Sequence, residues 1–379
     1  MQRTRVALVH DWLEAPGGGE VVLSSLRKLF PDAPVFTLVD FLTREERERL
    51  GNPVVKTSPL QGMPAARHWF RYAAALFPRV IERLDTSAFD VIISDSHAIA
   101  KGVRKHPGQV HICYCYTPAR FAWTMAPIYR DRAAGGNRVR DWLARGAQRR
   151  FREWDRRAAS RVDHFVAISR HIADVIARCY GREAAVVYPP VEIDRFERAG
   201  RGARGDDYVT VSRLVPYKRL DTVIEAFRRL PARRLTIIGD GPERTRLERH
   251  APANVVLAGR LDDAQTAAAV SAARAFVFAA CEDFGIAPVE AQAAGTPVIA
   301  YREGGSSETI RGLDEPSPTG VFFDAQTPAA IVDAIARFEA TTIDSDACRI
   351  NAARFAAPRF RAEIAAHIDA LLARRAPAH

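Results

Sequence analysis

The chain has 379 residues, 47% hydrophobic and 26% charged, with a formal net charge of +10. That length suits two domains better than one core, and that much apolar material excludes a disordered chain. No apolar run nears the roughly eighteen residues of a membrane span, and five scattered cysteines (Cys113, Cys115, Cys179, Cys281, Cys348) make neither a disulfide framework nor a zinc site.

In the first half, the runs RVALVH, PVFTLV, DVIISD, QVHICYC, HFVAIS and AAVVY are continuously apolar, as strands are when helices cover both faces of a parallel sheet. After the first run, HDWLEAPGGGE puts Gly17, Gly18 and Gly19 at a strand-to-helix turn. Three missing Cβ atoms there let backbone amides approach an anion closely. The pattern is not G-x-G-x-x-G, which disfavours a dehydrogenase.

Residues 138–161 carry Val139, Leu143, Ala147, Phe151, Trp154 and Ala158 at three- and four-residue spacing among many arginines, predicting an amphipathic helix. Its first reading is a solvated basic face over a core stripe, its second a membrane-surface or anionic-acceptor face. The stretch HWFRYAAALFP, residues 68–78, takes the same two readings. Residues 1–190 hold 30 Lys and Arg against 19 Asp and Glu, and residues 191–379 hold 25 against 26. The basic half suits an anionic partner, whether a lipid headgroup, a lipid-linked phosphate acceptor or nucleic acid. The aromatics of 138–161 lie on the apolar stripe instead of interleaving with arginines, which argues against nucleic acid.

A linker is expected in YPPVEIDRFERAGRGARGDD, after Pro189 and Pro190. The strand pattern then resumes with YVTVSRL, RLTIIGD, NVVLAG, AFVFAA, PVIAY and GVFFD. Arg213 and Lys218 fall just past the first of these, where open α/β sheets bind ligands, and two cations there suit a diphosphate. The turn at Gly259, Arg260 and Leu261 is a candidate edge for a nucleotide base. In AFVFAACEDFGIAPVEAQAAGTPVIAY, Glu282 and Glu290 are separated by seven residues, with Gly285 before a helix expected from about Ala287 to Ala294. Both carboxylates would accept hydrogen bonds from sugar or ribose hydroxyls, while amides at Gly285, Ile286 and Ala287 offer an anion site. A last helix after Pro358 carries Ile364, Ala365, Ile368, Leu371 and Leu372 at helical spacing and needs a packing partner. The expected domains are residues 1–190, residues 191–355 and a C-terminal helix over 356–379. The opening MQRTRVALVHDWLEA has no long apolar h-region and no small-residue cleavage site, so a cytoplasmic location is expected.

Taken together, these residues resemble the retaining GT-B glycosyltransferases of the family 4 type over essentially the whole chain. The E-x7-E motif from Glu282 to Glu290 is the most specific element. The resemblance implies an α/β GT-B fold, two Rossmann-like domains facing each other across a cleft, acceptor side first and donor side second. It implies a sugar contact for Glu282, a ribose contact for Glu290, a diphosphate clamp of Arg213 and Lys218, and Gly17 to Gly19 as the glycine-rich loop. It implies no metal and no cofactor beyond the nucleotide-sugar cosubstrate. HDWL with GGGE, SDSHAIAKGV, HICYCYTPARFAW and EDFGI look most like bacterial polysaccharide mannosyltransferases, implying GDP-mannose as donor, a glycan or lipid-linked acceptor, and work at the inner face of the cytoplasmic membrane. Where those enzymes often carry a histidine this chain has Tyr116, which leaves Tyr116, His111, His97 and Asp11 as candidates for the sugar or acceptor contact. The competing readings are a GT-B nucleotide-sugar epimerase and a non-enzymatic basic module that binds anionic lipid or nucleic acid.

Overall fold

A computed structural model describes residues 4–14, 17–127, 129, 138–199 and 204–373. Residues 15–16 of the glycine turn, 200–203 of the expected linker and 374–379 of the last helix lie outside the described residues. The chain divides into two compact units, one formed by residues 1–190 with 360–379 and the other by 191–359.

The first unit is built on a seven-stranded sheet of β1 (Val6–His10), β2 (Val35–Thr37), β3 (Val55–Thr57), β4 (Val91–Ser96), β5 (Val110–Cys115), β6 (His164–Ala167) and β7 (Ala184–Val186). Their order is β3-β2-β1-β4-β5-β6-β7, and every pairing is parallel. Six of these strands coincide with the apolar runs. The seventh, β3, is a short exposed edge strand whose VKT sequence carries no buried face and so no hydrophobic signal.

The second unit holds a six-stranded parallel sheet of β8 (Tyr208–Val211), β9 (Leu235–Ile238), β10 (Val255–Gly259), β11 (Ala275–Phe278), β12 (Val298–Tyr301) and β13 (Gly320–Phe323), in the order β10-β9-β8-β11-β12-β13. All six match the apolar runs. The two sheets thus share the doubly wound arrangement, with order reversing between β1 and β4 in one and between β8 and β11 in the other. The expected linker contains a short helix, Asp194–Ala199, whose Phe196 is buried.

The helix expected over 138–161 spans Arg138–Ser160, but its apolar stripe divides. Trp154 and Ala158, with Phe151 packed against them, join a core made with Phe70, Phe77, Ile81 and the sheet residues Val9 and Ile92. Val139 and Leu143, further toward the N-terminus, are 66% and 57% exposed. The last helix, Ala357–Ala373, buries Phe360, Ile364, Ile368 and Leu371. Its partner is the first unit, where Phe360 meets the edge of Tyr114 with ring centroids 5.5 Å apart.

One charged pair lies deep in the first unit. Lys101 and Asp155 are fully buried with Nζ and Oδ1 2.7 Å apart, and Asp155 also accepts from Trp123 Nε1 at 2.7 Å and Tyr180 OH at 2.6 Å. The pair ties the long helix to the segment after β4. Removing one partner strands a charge in the interior, so Lys101→Met should destabilise the protein by about 3–5 kcal/mol. Lys101→Met with Asp155→Leu should cost less than Lys101→Met alone, as measured by denaturant melts.

Candidate active site

Where strand order reverses, the carboxyl ends of neighbouring strands diverge and leave a crevice for a ligand. In the second unit those ends belong to β8 and β11. Past β8, Ser212 and Leu214 donate backbone hydrogen bonds to Ile238 and Asp240, at 2.9 and 3.0 Å, pinning the segment on either side of Arg213. Gly239 (φ +134) and Gly241 permit this close approach, since a Cβ on either would run into the Ser212 or Leu214 carbonyl. Arg213 itself is exposed, and no acceptor among the described residues engages its guanidinium.

Three residues on, the chain makes a short 3-10 turn, Pro216–Lys218, and Arg219 takes the left-handed conformation (φ +54). A non-glycine residue held there is strained, and the side chain of Arg219 secures it by donating to Thr222 Oγ1 at 3.1 Å. Lys218 pairs with Glu282 across the β8–β11 crevice. The backbone of Glu282 is fixed separately, by a parallel bridge to Gly304 and a 2.7 Å bond from Gly305 N–H to the Glu282 carbonyl. Side chains on Gly304 or Gly305 would collide with the backbone of Glu282 or Phe284.

The helix after Glu282 spans Ile286–Ala293, with Gly285 (φ +87) as its N-cap and no side chain capping it. Glu290 sits on this helix, mostly buried. It accepts from Arg195 at 2.9 Å, and Arg195 pairs at 2.8 Å with Asp263. Burial pushes the Glu290 carboxyl up from its ordinary value, against the pull of Arg195. Arg260 and Leu261 follow β10 directly, where Gly259 (φ +76) turns the chain; Arg260 is exposed and Leu261 partly so.

The corresponding crevice of the first unit lies at the ends of β1 and β4. Gly17 is the N-cap of the helix Gly18–Leu29, so Gly18 and Gly19 form its first turn. A Cβ on Gly17 or Gly19 would come no nearer than 3.2 Å to any protein atom, so the fold itself does not demand glycine there. Beneath them His10 Nδ1 meets Asp95 Oδ1 at 2.6 Å, both fully buried. Burial works against the imidazolium, but Asp95 and Glu20 outweigh it and hold His10 well above the ordinary histidine value. Burial pushes Asp95 up to about 6, despite the opposing pull of His10.

Four residues were expected to touch a sugar or acceptor, and the structure separates them. Asp11 is fully buried, and its two oxygens accept backbone N–H groups of His97, Ala98, Ile99 and Ala100 at 2.5–2.9 Å and pair with His97 Nδ1 at 2.8 Å. Burial alone would raise this carboxyl, but the donors around it hold it well below the usual range. Asp11 therefore organises a loop and does not face a ligand. His111 is likewise a correction: its ring lies inside the sheet, with Nε2 2.8 Å from Ser94 Oγ, and burial lowers its pKa to about 3. Tyr116 donates its hydroxyl to the Gly19 carbonyl at 3.1 Å, fastening the glycine turn. His97 alone of the four turns a substantial part of its side chain, 41%, toward solvent.

Residues that sequence reasoning passed over are Arg195, the Gly239–Gly241 pair and the Gly304–Gly305 pair. Glycines in IIGDGP and REGGSS stand at strand ends and were a readable signal. Arg195 left none, since its partner lies 95 positions away.

The model of the glycosyl transferases group 1 matches residues 194–355, and that of glycosyltransferase family 4 matches residues 16–195. Between them they take in nearly all of the chain. The chain belongs to the family 4, group 1 glycosyltransferases. A GDP-mannose-dependent alpha-(1-6)-phosphatidylinositol monomannoside mannosyltransferase of Mycolicibacterium smegmatis is 32% identical to this family 4 chain over 210 residues, 48% of the chain and 54% of that protein. A D-inositol 3-phosphate glycosyltransferase of Mycobacteroides abscessus is 27% identical over 48% of the chain and 45% of that protein. The chain spans about half the length of the curated relatives it matches. Among solved structures, Anabaena HepE in complex with UDP and glucose superposes with a TM-score of 0.67 at 17% identity, covering 97% of the chain and 100% of HepE. Sucrose-phosphate synthase from Thermosynechococcus elongatus gives 0.69 at 17% identity, covering 98% and 100%. Both likenesses establish the GT-B fold of this family 4 chain.

The buried histidine makes a stability prediction with a definite sign. His111 is held neutral in the folded family 4 chain, while the unfolded chain protonates it below about pH 6.5, so the unfolded state binds the extra proton between that value and about 3. Stability from this site is complete above pH 6.5 and lost as pH falls. Thermal melts of His111→Gln should show a shallower decline in Tm between pH 6.5 and 4 than those of the wild type.

Proposed function

We propose that the chain transfers a hexose, mannose from GDP-mannose, with retention onto a glycan or lipid-linked acceptor in polysaccharide synthesis. The observation that carries this reading is the constellation at the β8–β11 crevice: an exposed Arg213, a Lys218–Glu282 pair and a held Glu290. A diphosphate would draw Lys218 as a point charge and Arg213 as a planar fork, stabilising the negative charge that grows on the leaving group. These two cations make a metal unnecessary for that task. Glu282 is the residue for the sugar hydroxyls and Glu290 for the ribose. Amides at Gly285, Ile286 and Ala287 would face the phosphates, and Arg260 and Leu261 the base. The departing diphosphate would take the acceptor proton on the face it leaves, which gives retention. Gly17, Gly18 and Gly19 would give a ligand room beside the first helix. The GDP-mannose assignment draws support from the mannosyltransferases among the relatives, which are named for GDP-mannose and a phosphatidylinositol monomannoside.

A lipid-linked acceptor also accords with the surface of the first unit. Trp69 and Tyr72 are 56% and 81% exposed, beside exposed Arg67 and Arg79, and no acidic residue occurs from Gly51 to Ile81. Aromatic side chains among cations suit an anionic membrane interface. On this reading the protein works at the inner face of the cytoplasmic membrane.

Calorimetric titration with GDP, GDP-mannose, UDP and UDP-glucose tests the donor. The expected result is selective binding of GDP and GDP-mannose, weakened roughly 10- to 100-fold by Arg213→Ala, the scale of a lost charge-assisted hydrogen bond. Preference for UDP would refute the mannose assignment. For the membrane face, Trp69→Ser with Tyr72→Ser should abolish sedimentation with phosphatidylglycerol vesicles while leaving nucleotide affinity unchanged; retained sedimentation would rule this surface out.

A further inference from the structure

Arg195 stands in the segment that opens the second unit. Val191 bridges to Ala356 and donates to the Phe355 carbonyl at 2.8 Å, and Ile193 and Phe196 are buried, so the short helix Asp194–Ala199 is fastened to its own unit on both sides of Arg195. The guanidinium lies over the ring of Phe196, 4.8 Å from its centroid, and forks from there. One nitrogen meets Glu290 Oε1 at 2.9 Å, on the helix Ile286–Ala293, and another meets Asp263 Oδ1 at 2.8 Å, in the first turn of the helix Asp263–Ala272. Asp263 follows closely on Arg260 and Leu261. A single side chain therefore joins the two elements that bear the proposed ribose and base contacts.

The two arms of the fork are unequal. The Asp263 side chain is 86% exposed, so water weakens that pair, whereas the Glu290 side chain is only 17% exposed and burial penalises its charge. Among the described residues no other cation pairs with Glu290, and Asp263 and Glu192 add like charge nearby. Arg195 occupies Oε1 alone. Oε2 accepts from no described residue and is left for a ligand. An ionised carboxylate accepts at both oxygens, while a protonated one spends an oxygen as a donor, so the state that Arg195 favours is the one suited to adjacent hydroxyls.

We propose that Arg195 is the positioning residue for ribose recognition, aiming Glu290 so that one carboxylate oxygen stays free for the hydroxyls of the nucleotide. Arg195 does not touch the nucleotide and acts through Glu290. The proposal rests on the donor-site reading above and adds a residue to it.

Calorimetric titration with GDP and with dideoxy-GDP, which lacks both ribose hydroxyls, tests this in the wild type, Arg195→Met, Glu290→Gln and the double variant. The wild type should prefer GDP by roughly 10- to 100-fold, the scale of a hydrogen bond to a charged group. Arg195→Met should lose most of that preference by weakening GDP alone, with affinity for dideoxy-GDP unchanged, and Glu290→Gln should do the same. The double variant should lose no more than Glu290→Gln, since residues that act as one are not additive. Equal weakening of both nucleotides by Arg195→Met, as a loosened fold would give, overturns the proposal, and so do unchanged GDP affinity or additive losses in the double variant. Arg195→Lys keeps the charge without the fork and should recover part of the preference. It also carries the test if the methionine variant does not fold, in which case a full wild-type preference in the lysine variant overturns the proposal. Failure of the donor reading shows instead in the wild type, as absent GDP binding or equal affinity for the two nucleotides, and removes the proposal with it.

Discussion

Every strand in both sheets runs parallel to its neighbours, and that constraint determines where chemistry is placed. Parallel strands put all their carboxyl ends on one edge, and their crossovers cover both faces, leaving only that edge and its loops to meet a ligand. Since the order of strands reverses once in each sheet, each unit acquires a single crevice. Arg213, Lys218 and Glu282 lie at one, and His97 with the glycine turn lies at the other. Distant stretches of sequence meet there because β8 and β11, or β1 and β4, are neighbours in the sheet while other elements intervene in the chain.

The exposed side chains at these edges stand on a buried polar framework. Glu282 is fixed through its main chain by Gly304 and Gly305, leaving its carboxylate to the crevice. The segment around Arg213 is fixed by two glycines at the end of β9. The loop bearing His97 is fixed by the carboxylate of Asp11. In each case main-chain groups bear the cost of positioning, so the side chain at the edge starts from a fixed backbone.

Most of the fold was legible because both sheets bury their strands on two faces, which makes each strand a continuous apolar run. The edge strand β3 was missed for the converse reason, having no buried face to register. The divided stripe of the helix Arg138–Ser160 shows a second limit: periodicity gives the direction in which Val139, Leu143 and Trp154 point, but not how far along the helix the core extends. Among candidate site residues, position at a strand end was enough to bring Arg213, Lys218 and Glu282 to one edge. Burial was not legible for Asp11 and His111. Each occurs in or beside an apolar strand, where alternation of side chains decides between interior and surface, and in a strand covered on both faces that alternation carries no signal.

The distribution of charge separates two jobs that net charge alone would merge. Residues 1–190 carry the whole cationic excess, yet the cations proposed to meet a diphosphate, Arg213 and Lys218, belong to the half in which 25 basic residues face 26 acidic ones. A diphosphate is recognised over a few ångströms, where two placed cations outweigh any number of distant ones screened by salt. An extended anionic surface is recognised by the summed field, where placement matters less than number. Local cations in the second half and diffuse basic charge in the first therefore act over different distances, the one set by placement and the other by number.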